Sequence, residues 1–271
     1  MSDLKAQVLD PSLTPFEQLC RLMAVLRSPE GCQWDRAQTH RSLLPYLIEE
    51  AYEVLEAVEA EDYPGLKEEL GDLLCQIVFH TQLAQERGEF DINDSVRSII
   101  DKLIRRHPHV FKNRAELDPD QVRDQWEKIK TELEEKKSVL SGLPRSMPAL
   151  TMAYRIGEKA AGVGFDWGKS SDAFDKVIEE LDEVREVLVS SDENRKARLG
   201  DEIGDLLFAV ASVARLEGVD PEAALRRALA KFRQRFERME AKLTSDGRRF
   251  DDYTLDEMEA VWQRIKRQPE N

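Results

Sequence analysis

Residues 47–58 read LIEEAYEVLEAV and residues 177–188 read VIEELDEVREVL, and these two stretches decide the fold. In both, apolar side chains recur at spacings of three and four residues, which is typical of a helix that buries one face. In and just before the first stretch these positions are Leu43, Leu44, Leu47, Ile48, Ala51, Val54, Leu55 and Val58. No segment alternates apolar and polar residues with the period of two that a strand needs. The sequence therefore predicts an all-α fold.

Further matches follow each stretch in the same order. EELGDLLCQIVF at 68–79 corresponds to DEIGDLLFAVAS at 201–212, and each half ends in a Trp-x-x-Ile-Lys motif, at 126–130 and 262–266. The repeat length of about 130 residues is far above the roughly 20–50 residues of solenoid repeats, so it indicates a duplicated domain. We predict two helical-bundle domains, residues 1–137 and 151–271, joined by a linker at 138–150 that contains two prolines and a glycine.

The helices expected in each half follow from the same periodicity. Pro45 is best tolerated in the first turn of a helix, so the first of them is predicted to begin near Ser42. The predicted helices are 42–58, 66–78, 94–106 and 118–136 in the first half, and 171–189, 195–217, 221–243 and 254–267 in the second.

Composition and charge exclude several functional classes. The net charge is −14, which repels a polyphosphate backbone and gives nucleic-acid binding no electrostatic support. The longest apolar stretch, residues 206–214, is far shorter than the ~20 residues that span a bilayer. The N-terminus does not read as a signal peptide, and the three cysteines have no metal-binding spacing. We expect a soluble, cytoplasmic protein with reduced thiols.

Acidic side chains stand out on the first two long helices of each half. They occur in pairs spaced i, i+3, which places both members of a pair on one helix face. The first half has Glu50, Glu53, Glu69 and Asp72, and the second has Glu180, Glu183, Glu202 and Asp205. If the two helices pack antiparallel, four carboxylates converge and repel one another. A hard divalent cation relieves that repulsion, and Mg²⁺ suits few carboxylates together with substrate phosphates.

The competing interpretation is a solvated acidic surface, which is what a single Glu-x-x-Glu pair usually means. Two observations favour a metal site. The whole set is duplicated, and a glycine precedes each aspartate, at Gly71 and Gly204. Glycine inside a helix costs about 1 kcal/mol relative to alanine, so these positions predict close approach of another helix or of a ligand.

In these motifs and their order, the sequence resembles the MazG family of nucleoside triphosphate pyrophosphohydrolases in its two-domain form. The resemblance covers nearly the whole chain, from WDRAQTHRSL (34–43) and the two acidic motif pairs to VGFDW (163–167) and VWQRIKR (261–267). One departure is CQWD at 32–35, where the family more often has proline before the tryptophan. That difference affects a loop and no expected ligand.

The resemblance implies an all-α fold and hydrolysis of nucleoside triphosphates to the monophosphate and pyrophosphate. It implies Mg²⁺, with Mn²⁺ as the alternative ion, held by the eight carboxylates, and a tight homodimer. In two-domain members the C-terminal copy is generally the competent one. By motif, Glu180, Glu183, Glu202 and Asp205 would then be the principal ligands, and residues 176–180 would contact the nucleotide.

The residues of the second half fit these roles by spacing. Lys176 precedes Glu180 by four residues and Arg198 precedes Glu202 by four, so each cation stands one turn from an expected ligand. Lys231 and Arg235 form another i, i+4 cationic pair. Trp262 offers a stacking face for the base, with core packing as the alternative. These residues are predicted to bind the nucleotide, together with Glu179 and Glu180.

The first half keeps its four carboxylates but has Tyr46 where the second half has Lys176. Its metal site therefore looks intact while its phosphate contacts are altered. Weak activity, a different substrate preference and a purely structural role all remain open. The four histidines fall in this half alone and are expected to be core or loop residues.

The expected reaction is attack of water on the α-phosphorus with pyrophosphate leaving, and Glu179 is our candidate for the group that accepts the proton. Two alternatives stay open at this point. One is a non-catalytic nucleotide sensor or helical interaction scaffold. The other is a pyrophosphohydrolase restricted to one modified or deoxy nucleotide.

Overall fold

The computed structural model describes residues 4–112, 116, 118, 121–122, 138–245, 247 and 249–267. These residues are largely helical and include no β-strand, so the predicted all-α fold is confirmed. The predicted helix 118–136 and the motif at 126–130 lie almost wholly outside the described residues. The chain divides into two compact units, residues 1–116 and 117–271.

The first unit is built around one long helix pair. Its helices are α1 (Leu4–Val8), α2 (Pro15–Leu26), α3 (Gln33–Ala37), α4 (His40–Glu59), α5 (Tyr63–Glu86), α6 (Ile92–Arg106) and α7 (Pro108–Phe111). Residues 60–62 connect α4 to α5, which packs along α4 and also against α2. The core of this unit consists of Met23, Leu43, Val78, Phe79 and Leu83.

The second unit repeats this pair. Its helices are α8 (Ala149–Ala161), α9 (Ser170–Val189), α10 (Arg195–Leu216), α11 (Pro221–Thr244) and α12 (Leu255–Lys266), with a short 3₁₀ turn at Phe250–Asp252. Helices α9 and α10 form the main pair, α8 packs on α10, and α11 packs on α12 and α8. A second apolar cluster joins α11 and α12 through Met239, Leu243, Val261 and Ile265.

The start of α4 differs from the prediction. The helix begins at His40 rather than near Ser42, which leaves Pro45 in the second turn. The reason is a cap at Thr39, whose hydroxyl accepts from the Ser42 backbone N–H at 3.1 Å while the Ser42 hydroxyl accepts from the Thr39 N–H at 2.9 Å. Such a reciprocal cap satisfies backbone N–H groups at the N-terminus of a helix, and here it places the start of α4 upstream of Pro45.

Most of the predicted linker, residues 138–148, is non-helical, and its last two residues already belong to α8. The Lys159 ammonium on α8 donates to the backbone carbonyls of Val139 at 3.1 Å and Ser141 at 3.2 Å, which ties this segment to the second unit. The exact boundaries of the two domains stay a prediction. Cys20, Cys32 and Cys75 are free thiols. Across the described residues, no helix has the length and apolar character needed to cross a bilayer.

Candidate metal centre

In the second unit, helices α9 and α10 bring three carboxylates together. Glu180, Glu202 and Asp205 each offer a carboxylate oxygen, and these oxygens lie within 4.8 Å of one another. Glu202 and Asp205 share one face of α10 because they are three residues apart, and Glu180 approaches from α9. Oxygens at this separation can ligate one hard cation.

Glu180 is the buried member of this group, with only 4% of the residue exposed. One of its oxygens, Oε1, lies 2.6 Å from the Lys176 ammonium, which is also 2.7 Å from Glu179 Oε1. Both carboxylates raise the pKa of Lys176, so its positive charge is held firmly. The other oxygen, Glu180 Oε2, is buried and has no hydrogen-bond partner among the described residues. A buried, unpaired carboxylate oxygen is costly, and a cation between the three carboxylates would satisfy it.

Glu183 lies at the edge of this cluster. Its pKa is raised, chiefly by burial and next by repulsion from Glu180 and Glu202, while Lys176 acts in the opposite direction. The cluster therefore carries excess negative charge, which a divalent cation would neutralise.

The first unit builds the same arrangement on α4 and α5. Oxygens of Glu50, Glu69 and Asp72 lie within 4.8 Å of one another. Burial raises the pKa of Glu50, and repulsion from Asp72, Glu53 and Glu69 raises it further. The pKa of Glu69 is raised by burial and then by Glu53 and Asp72. This cluster too carries more negative charge than its surroundings compensate.

The cation next to the second cluster has no counterpart in the first. Tyr46 takes the place of Lys176, and its ring meets Trp34 edge to face with centroids 6.1 Å apart. The two clusters therefore share their acids and differ in the group beside them.

Two details differ from the sequence expectation. Three carboxylates, rather than four, meet within 4.8 Å in each half, with Glu53 and Glu183 just outside that group. The sequence predicted close approach of a helix or of a ligand to Gly71 and Gly204. For a helix this is wrong among the described residues, since a side chain at either glycine would meet no atom within 4 Å, and approach of a ligand stays a prediction. Both glycines face open space, so within the described chain no packed helix explains their presence.

The predicted nucleotide contacts are spread over several surfaces. Arg198 is exposed, with its guanidinium 3.3 Å from Asp192 Oδ2. Glu179 is exposed beside Lys176. Lys231 and Arg235 lie on α11, which packs mainly against α12 and α8 rather than against the carboxylate-bearing pair. Trp262 packs against the apolar cluster of α11 and α12, and the centroid of its ring lies 5.1 Å from the centroid of the Phe232 ring.

The histidines contribute to neither cluster. Among the described residues, the two acidic clusters are the only groups of three or more metal-binding side chains whose ligand atoms meet within 4.8 Å. His40 and His80 stack, with their Nδ1 atoms 2.9 Å apart. They join α4 to α5, and burial and the neighbouring His40 lower the pKa of His80.

The sequence interpretation missed a feature of the second unit. A cavity of about 460 Å³ lies between α8, the segment before α9, and α10. Its signal in the sequence was the pair Phe79 and Ser212, which occupy the same position in the two aligned segments and differ greatly in size.

Comparisons with known proteins agree with this architecture. The family profile described as the MazG nucleotide pyrophosphohydrolase domain matches residues 38–111 and again residues 171–239. A Thermotoga maritima protein named nucleoside triphosphate pyrophosphohydrolase/pyrophosphatase MazG is 45% identical over 253 residues, covering 93% of this chain and 95% of its own. An Escherichia coli nucleoside triphosphate pyrophosphohydrolase is 45% identical over 264 residues, covering 94% of this chain and 98% of its own. An uncharacterized Bacillus subtilis protein, YabN, is 40% identical over 93% of this chain and 51% of its own.

Proposed function

The chain belongs to the MazG family of nucleotide pyrophosphohydrolases, and from this premise we propose that it works with Mg²⁺, chiefly at the cluster of the second unit. It is an enzyme that hydrolyses nucleoside triphosphates to the monophosphate and pyrophosphate. Family membership does not support the alternative of a non-catalytic sensor or scaffold. Restriction to one modified or deoxy nucleotide is the other alternative, because the carboxylates and lysine of the cluster would contact phosphates, which all nucleoside triphosphates share.

Glu180, Glu202 and Asp205 would hold the ion, with Glu183 completing the set. The buried and unpartnered Oε2 of Glu180 is the observation that carries this assignment. Mg²⁺ is favoured over Ca²⁺ because the cluster offers few carboxylates and leaves positions for phosphate oxygens, and Mn²⁺ is the alternative. When bound, the ion would supply charge neutralisation and orientation for the triphosphate.

Lys176 would change partners when substrate binds. Its ammonium now bridges Glu179 and Glu180 at 2.7 and 2.6 Å. A triphosphate beside the cluster offers it a stronger anionic partner, and movement toward a phosphate oxygen releases the carboxylate of Glu179. Glu179, exposed to solvent and freed from its ion pair, would then accept the proton of the attacking water.

The other residues predicted to contact the nucleotide would also need to change partners or to act from a second copy of the chain. Arg198 would exchange Asp192, an exposed partner at 3.3 Å, for a phosphate oxygen. Lys231 and Arg235 would reach the triphosphate from a second copy of the chain, since α11 packs chiefly away from the carboxylate-bearing pair of its own unit. Trp262 would reach a base only by leaving its contact with Phe232.

The exposed apolar surface supports a homodimer. Helix α6 contains no buried residue, although its apolar residues Val96, Ile99, Ile100, Leu103 and Ile104 lie on one side and are 39–47% exposed. Helix α11 also has a row of exposed apolar side chains, Leu225, Leu229, Phe232 and Phe236, which are 36–59% exposed, although its Pro221, Met239 and Leu243 are buried. Contiguous exposed apolar side chains of this kind mark association surfaces. Sedimentation equilibrium tests the dimer, and a monomeric mass at micromolar concentration would contradict it.

The test of the reaction is a panel of ribonucleoside and deoxyribonucleoside triphosphates, assayed with Mg²⁺ and with products resolved by anion exchange. We expect monophosphate and pyrophosphate in equal amounts, and no turnover in excess EDTA. Turnover that survives EDTA would contradict the metal assignment, and turnover of a single nucleotide would establish the restricted alternative.

A further inference from the structure

The cavity of the second unit begins one helical turn from the carboxylate cluster. Phe208 and Ser212 line it from α10, three and seven residues after the ligand Asp205. These spacings keep them on the face of α10 that carries Asp205, about 5 and 10 Å along the axis. The cavity and the candidate metal centre are therefore neighbours on one helix face.

The rest of the lining combines apolar surface with a polar edge. Ile156 and Ala160 contribute from α8, and Trp167 contributes from the segment just before α9. Arg215 and Asp166 form a two-pronged ion pair at the wall, with one Nη1–Oδ2 contact of 3.0 Å. Pockets of roughly 300–1,000 Å³ with aromatic walls and few polar groups are typical of small-molecule sites, and this cavity of about 460 Å³ lies within that range.

One polar group at the wall has capacity left for a ligand. The Arg215 side chain is 9% exposed, and its Nε is buried against α8, so the guanidinium serves the wall through its ion pair with Asp166. The Arg215 side chain crosses over Gly157, and a Cβ atom added to this glycine would lie 2.6 Å from Arg215 Nε. The Ser212 hydroxyl donates to the Phe208 carbonyl at 3.0 Å and can still accept a hydrogen bond.

The first half fills the corresponding place with its own side chains. With Asp72 aligned to Asp205, Phe79 corresponds to Ser212, and with Trp34 aligned to Trp167, Arg27 corresponds to Ala160. Phe79 is buried in the core of the first unit, and the Arg27 guanidinium lies over its ring, 5.5 Å from the centroid. The volume that two large side chains occupy in one half is left to Ser212 and Ala160 in the other.

We propose that this cavity holds the nucleobase of the substrate whose triphosphate lies at the Glu180 cluster, an inference that rests on the proposed function. The base would lie against Trp167 and Phe208, since planar aromatic rings stack favourably. Ser212 Oγ would accept a hydrogen bond from an N–H group of the base. Both purines and pyrimidines carry such a donor, so the site favours a broad range of bases.

Ser212→Phe tests this by introducing the first-half residue into the cavity. The full-length variant and wild type are assayed with ATP and with ribose 5-triphosphate, which has no base. We expect kcat/KM for ATP to fall at least about tenfold relative to kcat/KM for ribose 5-triphosphate, mainly through KM, because only the base competes with the new ring. Equal losses for the two substrates would overturn the proposal, as would an unchanged ratio.

Ala211→Val is the matched control, because Ala211 is buried next to Ser212 and is not part of the cavity wall. It adds volume to the same helix and should leave the substrate ratio unchanged. If Ser212→Phe does not fold, quenching of Trp167 fluorescence by AMP in wild-type protein replaces it, with Trp167→Phe identifying the signal. Absence of quenching at millimolar AMP would overturn the base site. Failure of wild type to release pyrophosphate from ATP would instead refute the proposed function.

Discussion

The two carboxylate clusters share their acids and differ in what surrounds them. In both, three oxygens meet within 4.8 Å. In the second unit Glu180 is buried against the Lys176 ammonium, whereas in the first Tyr46 takes the lysine's place and contacts Trp34. Gathering the acids and placing a cation beside them are therefore separate features of the fold, since the acids are present in both halves and Lys176 has no counterpart in the first.

The two units also differ in packing at corresponding positions. Phe79 and Arg27 complete a packed core in the first unit, and the smaller Ser212 and Ala160 leave space in the second. A lysine, a serine and an alanine in the second half thus stand where the first half has a tyrosine, a phenylalanine and an arginine. These replacements distinguish the surroundings of the second cluster from those of the first.

The largest effect is expected from replacing one proposed metal ligand in each cluster. Glu180→Gln should lower kcat/KM for ATP by about 100-fold or more, because it removes a charged ligand from a buried position. Glu50→Gln, its matched variant, should cause a loss at least about tenfold smaller. Steady-state assays with Mg²⁺ measure both. Equal losses would show that the two clusters contribute equally.

The next effect concerns the cation. Lys176→Met should lower kcat/KM by about 10- to 100-fold, since a charge-assisted contact to phosphate is lost. Tyr46→Lys is the reciprocal change, and in a Glu180→Gln background it should raise the residual activity about tenfold by giving the first cluster its missing cation. No gain in that background would show that more than the lysine separates the halves.

Metal binding should also be visible as stability. At a Mg²⁺ concentration about 100 times Kd, binding stabilises the folded protein by about 2.7 kcal/mol per site, which corresponds to several degrees in Tm. Differential scanning calorimetry with and without EDTA measures the shift. Glu180→Gln should remove the part of it that comes from the second unit, while Glu50→Gln removes the part from the first. A shift that survives both changes would place the metal elsewhere.

The smallest effect is a pH dependence in metal-free protein. The folded-state pKa of Glu50 is raised by burial and by its acidic neighbours, so folding favours its protonated form. Its contribution to stability is therefore present below the unfolded pKa and is lost as pH rises through the folded pKa. Glu50→Gln should raise Tm at pH 7 in EDTA by about 1–3 °C and have less effect at pH 4. A larger gain at pH 4 would contradict this sign.

Much of the fold was predictable because helical periodicity is a local property. The long helices of each half that lie within the described residues were predicted to within three residues at each end, except that α5 continues to Glu86, eight residues past its predicted end at 78. For α4, the cap at Thr39 outweighed the constraint from Pro45. Helices α2 and α8 were not predicted, although α8 walls the cavity.

The duplication, the spacing of the acids and the family followed from the order of residues, because motif order and i, i+3 geometry are properties of the linear chain. Packing in three dimensions sets which three acids meet, that Glu180 Oε2 is buried without a partner among the described residues, that Trp262 packs on Phe232, and that Ser212 borders a cavity. Each of these depends on how side chains from separate helices share space. Burial and pairing are properties of packed surfaces, and periodicity within one helix does not contain them.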